Sequence, residues 1–408
     1  MKRIMLSILL IIIGLMFYFC KKESNPVGTE NENAALPKKE WTFLFYDDAD
    51  FYNAYDPFDD FSELVSSNQN INYLVLRDRN DSPASYYKIG ENHEQIILKS
   101  VGEVNMASQN ALQDFIEYGK KYFPAERFIL ALYDHGGGWV GACIDLNGTD
   151  ILSPAEMNNA VTNAGGIDII LFTAPCLMGS LETAYQLRNS TKYYIGSEEN
   201  SGFIFWLGML NKFDSFIKNS FRVTNEVLAQ NIIALHNEYK DIYGWGYLIT
   251  MSAVRSSKLS DLVSSLKKVT DYYLENPSNF KVTSMESVRR YSSSKNFIDL
   301  LGILEVLDNT ETEFRIKNYL RETINIFSET IVAECHGDST NGSNGLNIYY
   351  PLKKNSPELY YLPAGFGLHF KNNCSWENLL NLTLGKHGFE IKDEIHNSIS
   401  TLNGKFPR

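Results

Sequence analysis

The stretch Asp168-Ile169-Ile170-Leu171-Phe172-Thr173-Ala174-Pro175-Cys176-Leu177-Met178-Gly179-Ser180-Leu181-Glu182-Thr183-Ala184-Tyr185 changes period in its middle. It opens as an unbroken apolar run, the pattern of a strand buried on both faces of a sheet. Pro175 ends that run, because proline has no amide hydrogen for a ladder and biases the residue before it away from helix. Beyond it, Leu177, Leu181, Ala184, Tyr185 and Arg188 recur at helical spacing. Cys176 is therefore predicted at the junction of a strand and a following helix. The unpaired amides and partial positive charge of a helix start favour a thiolate over a thiol.

A second stretch has the same architecture. Arg127-Phe128-Ile129-Leu130-Ala131-Leu132-Tyr133-Asp134 reads as a buried strand, and His135-Gly136-Gly137-Gly138-Trp139 follows directly. In an open α/β sheet the carboxyl ends of parallel strands share one edge, where ligands bind. If the two strands are parallel neighbours, His135 and Cys176 meet there, as a cysteine nucleophile and its base require. Taken singly, a cysteine ending an apolar strand is a packing thiol, a loop histidine is unremarkable, and three glycines make a tight turn. Together they supply the three needs of acyl transfer by a thiol: a nucleophile, an acid–base group and amide donors for an oxyanion. The amides of Gly136 and Cys176 are the candidate donors. Asp134 precedes His135 directly, so its side chain is expected to point elsewhere and it is not assigned to a triad.

The flanking pattern alternates strands and helices. Strands are predicted at 41–46, 71–76 and 193–197, and a hairpin over 86–98 turns at Gly90-Glu91-Asn92. Helices are predicted over 58–66, from an N-cap at Ser108 to Tyr122, and from Ser153-Pro154-Ala155-Glu156 onward. This alternation argues for a mostly parallel sheet covered on both faces. Farther on, helical patterns cover 224–239, 260–275 and 311–334, with strands near 247–251 and 345–350. The expected organisation is a probable lipoprotein export signal at 1–20, a flexible tether at 21–40, a catalytic domain at 41–240, a C-terminal α+β lobe at 241–390 and a polar tail at 391–408.

With 408 residues, of which 44% are hydrophobic, the chain is long enough for one large α/β domain and more. A net charge of -12 argues against a nucleic-acid partner. At the N-terminus, Lys2 and Arg3 precede an apolar run from Ile4 to Phe19 that stops at Cys20, followed by Lys21-Lys22. The run falls short of the ~20 apolar residues of a bilayer span. It is similar to a bacterial lipoprotein signal with Cys20 as the acylated residue, which would place the protein in the cell envelope, outside the cytoplasm. Phe17 and Phe19 depart from the small residues usual there, so an uncleaved signal anchor is the alternative. Cys143, Cys335 and Cys374 fit neither a disulfide framework nor a zinc spacing and are expected to be packing thiols. No metal or cofactor is expected.

Leu132-Tyr133-Asp134-His135-Gly136-Gly137-Gly138-Trp139, Cys176-Leu177-Met178-Gly179 with Glu182 and Ala184-Tyr185, and Ser197-Glu198-Glu199 together resemble the clostripain-like cysteine peptidases, a branch of the caspase-type clan. The resemblance extends through Trp41–Tyr46, Asn105-Met106-Ala107, Met251-Ser252-Ala253-Val254 and Gly345-Leu346-Asn347-Ile348-Tyr349-Tyr350-Pro351. It implies a caspase-like α/β/α sandwich, a His135–Cys176 dyad and a peptide or protein substrate. Two features depart from the family pattern. Family members carry Asp two residues before the cysteine, where it helps recognise a basic P1 residue, and that position is Ala174 here. Members that mature by self-cleavage cut after a basic residue between the two motifs, and none stands between Gly136 and Arg188. Glu198 or Glu199 could restore the missing pocket charge from another wall; otherwise Arg or Lys at P1 is not strongly preferred and an uncharged residue is accepted at least as well.

Three functions compete on these residues. The first is an exported, membrane-tethered cysteine endopeptidase, and the second a surface binding module on the same fold, with Pro175 displacing the thiol. The third, an α/β-hydrolase esterase suggested by His-Gly-Gly-Gly, lacks the Gly-x-Ser-x-Gly elbow that its serine would need. The anchor is directly testable. Mass spectrometry of detergent-extracted protein is expected to find an acylated N-terminal Cys20 peptide, whereas an intact Met1 terminus in the membrane fraction would identify a signal anchor.

Overall fold

The computed structural model describes residues 36–50, 56–145, 150–220, 222–239, 249–280, 282–351 and 368–384. The segment read as an export signal, with Cys20, and most of the expected tether and polar tail lie outside the described residues. Among the described residues no helix is long and apolar enough to cross a membrane.

The two apolar runs that flank the candidate residues become neighbouring parallel strands. They are β5 (Ala125–Tyr133) and β8 (Ile167–Phe172), in the register Leu132↔Phe172. On the other side of β5 lies β1 (Lys39–Ala49), with Tyr46 opposite Leu132, and beyond it β2 (Ile71–Arg79). The strand β9 (Thr191–Gly196) runs parallel to β8, so five central strands share one direction. Antiparallel strands extend both ends: β3 (Ser82–Ile89) and β4 (Gln95–Gly102) beyond β2, and β10 (Thr250–Arg255) and β13 (Ile331–His336) beyond β9. The full order is β13-β10-β9-β8-β5-β1-β2-β3-β4.

Strand alternation sends side chains to two separate cores. Leu44 and Tyr46 of β1, Leu130 and Leu132 of β5 and Ile170 and Phe172 of β8 face one. Helices α2 (Gln109–Tyr122), α3 (Pro154–Asn163) and α4 (Leu181–Leu187) pack there, with α7 (Leu259–Glu275), α8 (Leu300–Thr310) and α9 (Phe314–Thr330). Phe43, Phe45, Ala131, Tyr133 and Leu171 face the other, under α1 (Phe58–Leu64), α5 (Ile204–Asn219) and α6 (Asn225–Tyr239). The result is the expected α/β/α sandwich. Local capping agrees with the sequence. The Ser108 hydroxyl accepts from Ala111 N at 3.1 Å. Ser153 and Glu156 form a reciprocal capping box with Pro154 in the first turn.

Two readings shift in the later part of the chain. The helical pattern over 311–334 splits at Thr330, and Ile331-Val332-Ala333-Glu334-Cys335-His336 is strand β13, paired with β10. Two β-branched residues open that run, and cross-strand pairing outweighs its helical spacing. Residues Thr250–Arg255 form β10, farther along than the expected 247–251. Both strands come from the stretch assigned to a C-terminal lobe, yet they extend the main sheet. That stretch also supplies a small sheet, β11 (Arg290–Tyr291), β12 (Phe297–Asp299) and β14 (Asn347–Tyr349), in the order β11-β12-β14. Helices α5 and α8 had no counterpart in the sequence reading.

The α2 packing sets a stability scale. Phe115 is fully buried, its ring 5.7 Å from Tyr46 and 5.8 Å from Tyr86. Phe115→Ala is expected to cost about 3–5 kcal/mol in urea unfolding, against about 1 kcal/mol for removing the Ser108 cap with alanine.

Candidate active site

Cys176 and His135 lie just past the ends of β8 and β5, and their loops touch through bare main chain. A Cβ added at Gly136 would sit 2.6 Å from Cys176 O and 2.9 Å from Cys176 N, so only glycine fits there. Gly138 has φ +65°, and a Cβ there would meet the Phe297 ring at 2.7 Å. The glycines of the motif thus bring the histidine loop onto the cysteine loop.

The amides have definite roles. Gly136 bridges Ala142, with Gly137 N donating to Gly141 O and Cys143 N to His135 O on either side. In that antiparallel arrangement the Gly136 amide faces away from Ala142. Among the described residues, the amides of Gly136 and Cys176 donate to no other group. Asp134, at φ 151°, accepts from Ile144 N and so ties the strand end to the hairpin of β6 (Ala142–Asp145) and β7 (Asp150–Leu152). Burial pushes its carboxyl up to about 8, against the bonds from the Ile144 and His135 amides. This carboxyl group is engaged by the backbone of β6.

The cysteine does not stand at a helix start. Leu177 adopts φ 63°, and α4 begins at Leu181 with Ser180 as its N-cap. The reason is tertiary: Leu177 N donates to Glu199 O at 3.1 Å and Gly179 N to Ser197 O at 2.6 Å. Carbonyls after β9 thus claim amides that a helix start would have left unpaired beside the thiol. Gly179 and Gly196 make that approach possible, since a Cβ on Gly196 would lie 2.7 Å from Met178 O and one on Gly179 2.7 Å from Glu198 N. Without a helix terminus, burial dominates the thiol and pushes it up to about 11, opposed by the Ser201 amide. Ser201 N donates to Sγ at 3.3 Å, and Sγ donates back to Ser201 O at 3.7 Å. Burial moves His135 the other way, below the usual imidazole value, so the ring is neutral at pH 7.

The pocket candidates diverge. Ala174 is buried in the same core as Tyr133 and Phe203. Glu198 points away, into the small sheet. The Tyr291 hydroxyl donates to its Oε1 at 3.0 Å and to Asp299 Oδ2 at 3.1 Å. Burial and Asp299 push the Glu198 carboxyl well above the usual carboxylate range, and the two carboxyl groups hydrogen-bond each other. Glu199 Oε1 accepts from Ser292 N and Asn200 N, both at 2.9 Å, and its Oε2 faces Arg289 at 3.6 Å. Neither the Ser201 contact nor the Asp299 partnership carries a sequence signal, because one uses backbone atoms and the other spans about a hundred residues. Cys143, Cys335 and Cys374 are buried. No group of three or more His, Cys, Asp or Glu that could hold a metal ion is found among the described residues.

A two-faced α/β sandwich with a thiol and an imidazole past the ends of adjacent parallel strands defines a class, the cysteine peptidases of caspase-like fold. Residues 47–383 match the model of the clostripain family, and the chain belongs to that family. It is 28% identical to clostripain of Hathewaya histolytica over a match covering 36% of each chain, so it spans about a third of that relative's length. Its fold is similar to a secreted C11 cysteine protease from Bacteroides thetaiotaomicron bound to an irreversible peptide inhibitor. The TM-score is 0.63 at 19% identity, over 83% of this chain and 99% of that one. An inactive zymogen C11 protease from Parabacteroides distasonis gives 0.62 at 18% identity, over 86% and 100%.

The thiol's environment predicts a reactivity profile. Below its pKa the thiolate fraction rises tenfold per pH unit, and the thiolate is the nucleophile. Iodoacetamide labelling of Cys176 in the resting protein is expected to be slow at pH 7 and to climb log-linearly toward pH 10. A plateau already reached at pH 7 would indicate instead a thiolate stabilised by protonated His135.

Proposed function

We propose that the chain is an exported, membrane-tethered cysteine endopeptidase working through Cys176 and His135. The observation that carries this reading is the main-chain contact between Gly136 and Cys176, which sets an unengaged amide beside the nucleophile. The resting thiol is protonated and held by Ser201, so a substrate must displace that contact. Neutral His135 then takes the Sγ proton as the thiolate attacks the peptide carbonyl. The amides of Gly136 and Cys176 receive the developing oxyanion, where each well-placed donor is worth about 3–4 kcal/mol. The His135 imidazolium returns the proton to the leaving amine, and water, deprotonated by the same ring, hydrolyses the thioacyl intermediate. The relative from Bacteroides thetaiotaomicron is described as secreted, which agrees with the lipoprotein-like segment ending at Cys20.

A second reading, a peptide-binding surface module, is favoured by the half-buried, protonated thiol with both of its bonds to Ser201. Cys176→Ala separates the two. It is expected to leave unfolding unchanged within about 1 kcal/mol and to abolish hydrolysis of a fluorogenic peptide library, with His135→Ala also losing turnover. Residual cleavage by Cys176→Ala would end the cysteine-peptidase reading, and an inert wild type that still binds peptide would establish the module. With no Lys or Arg between Gly136 and Arg188, the active chain is expected to run as a single uncut band.

A further inference from the structure

Three consecutive residues after β9 join the Cys176 loop to the small sheet, and the middle one carries an inference that rests on the peptidase reading above. Ser197 O and Glu199 O hold the amides of Gly179 and Leu177, at 2.6 and 3.1 Å, and farther along the same loop the Ser201 amide contacts Sγ at 3.3 Å. Glu198 stands between those two carbonyls. It is packed on the Cys176 loop so closely that a Cβ on Gly179 would lie 2.7 Å from Glu198 N and 3.0 Å from its Cγ. Its own carbonyl accepts from Asn347 Nδ2 at 2.9 Å, while its carboxyl group reaches into the small sheet. A displacement of that side chain is passed to both neighbouring carbonyls, and through them to the Cys176 loop.

Groups from three segments hold the carboxyl end of Glu198. The Tyr291 hydroxyl of β11 reaches Oε1 at 3.0 Å, the Gly345 amide donates to the carboxyl group, and Asp299, the last residue of β12, hydrogen-bonds it. Both acids are buried, Glu198 at 2% and Asp299 at 0% exposure. Asp299 is rich in donors. Its Oδ1 accepts from Gly302 N at 2.6 Å and Asn344 Nδ2 at 2.9 Å, and its Oδ2 from Asn344 N at 2.9 Å and the Tyr291 hydroxyl at 3.1 Å. Such donors favour the ionised form. A hydrogen bond between two carboxyl groups needs a proton on one of them, because a carboxylate only accepts. That proton therefore belongs on Glu198. Among the described residues no Lys or Arg pairs with either acid. The other titratable or charged groups on the elements packed there are Tyr291, Arg289, Glu199 and Glu182. Arg289 stands over the Tyr291 ring at 5.8 Å and faces Glu199, and Glu182 accepts from Tyr349 N and the Ser180 hydroxyl.

We propose that Glu198 is a positioning residue for the peptidase reaction, fixing the Cys176 loop through a protonated bridge to Asp299 that opens as pH rises. Loss of the proton removes the bond between the two acids and sets two negative charges against each other in a buried seam. The folded seam keeps a carboxyl proton that the unfolded chain releases near pH ~4. Seam stability therefore falls as pH rises from the ordinary carboxylate range through the raised Glu198 value. Glu198→Gln keeps the shape and a permanent donor toward Asp299, and it cannot ionise. The test compares full-length wild type, Glu198→Gln and Glu198→Ala between about pH 5 and 10. Wild-type hydrolysis of a fluorogenic peptide is expected to fall along an alkaline limb, in kcat more than in KM. Glu198→Gln should move that limb up by about one pH unit or more, and should restore the turnover that Glu198→Ala loses about tenfold. Hydrogen exchange, corrected for its intrinsic pH dependence, reads the seam without turnover. Protection at Leu177 and Gly179 should fall with pH in wild type and persist in Glu198→Gln. The proposal is overturned by an active wild type with no alkaline limb, or by a limb or exchange profile that Glu198→Gln leaves unshifted. It is also overturned if Glu198→Gln is as impaired as Glu198→Ala while circular dichroism shows both folded. A wild type that hydrolyses nothing, yet shows the pH-dependent exchange, sinks the peptidase reading and leaves the Glu198–Asp299 bridge standing.

Discussion

Main chain touches main chain at three places along the carboxyl edge of the sheet, and each place is a glycine. Gly136 meets Cys176, Gly179 meets the backbone at Ser197 and Glu198, and Gly196 meets Met178. Backbone atoms have no rotamers to yield, so a side chain at any of these positions would push a whole loop aside. The contacts draw the segments after β5, β8 and β9 together. Parallel strands deliver their ends to one edge, but at the ~4.8 Å spacing of the sheet they leave the following loops free to diverge. Close approach of bare backbone removes that freedom. It fixes the Cys176 loop in a conformation that includes a non-glycine residue, Leu177, at φ 63°, a cost on the order of 1–2 kcal/mol that the flanking hydrogen bonds offset.

The small sheet braces this edge from the far side. Asn347 N bonds Gly179 O, its side-chain amide bonds Glu198 O, and Tyr349 N reaches the Glu182 carboxylate on α4. The Glu198–Asp299 carboxyl pair, with Tyr291 between them and Asn344 on Asp299, fills the seam where this brace meets the loop after β9. Two carboxyl groups are stable in such a place only when one holds a proton that both can use. The late part of the chain therefore supports the Cys176 loop rather than merely covering it.

Burial acts on the two reactive groups in opposite directions and leaves both uncharged. It raises the thiol and lowers the imidazole, so the resting pair stores its proton on sulfur. An ion pair in the same place would pay desolvation on two charges. In the peptidase reaction proposed above, charge separation waits until oxyanion donors and a leaving amine are present to use it. The Ser201 amide works against that neutral state by donating to Sγ, while Ser201 O accepts from the thiol.

Much of this was legible in the chain. The buried runs of β1, β5 and β8, the caps at Ser108 and Ser153 and the glycines after His135 follow from local spacing and turn chemistry, which a sequence encodes within a few residues. That Cys176 and His135 follow the ends of neighbouring strands was readable because parallel neighbours end on the same edge. The surroundings of the thiol were not. Helical periodicity after Pro175 suggested an activating helix start, but carbonyls about twenty residues downstream claim the amides of Leu177 and Gly179. Glu198 looked like a loop acid free to face a substrate, until Asp299, about a hundred residues away, became its partner. Periodicity states which residues want burial. Which amide finds which carbonyl, and how far a buried group's pKa moves, depends on segments distant in sequence, and only the folded chain brings those together.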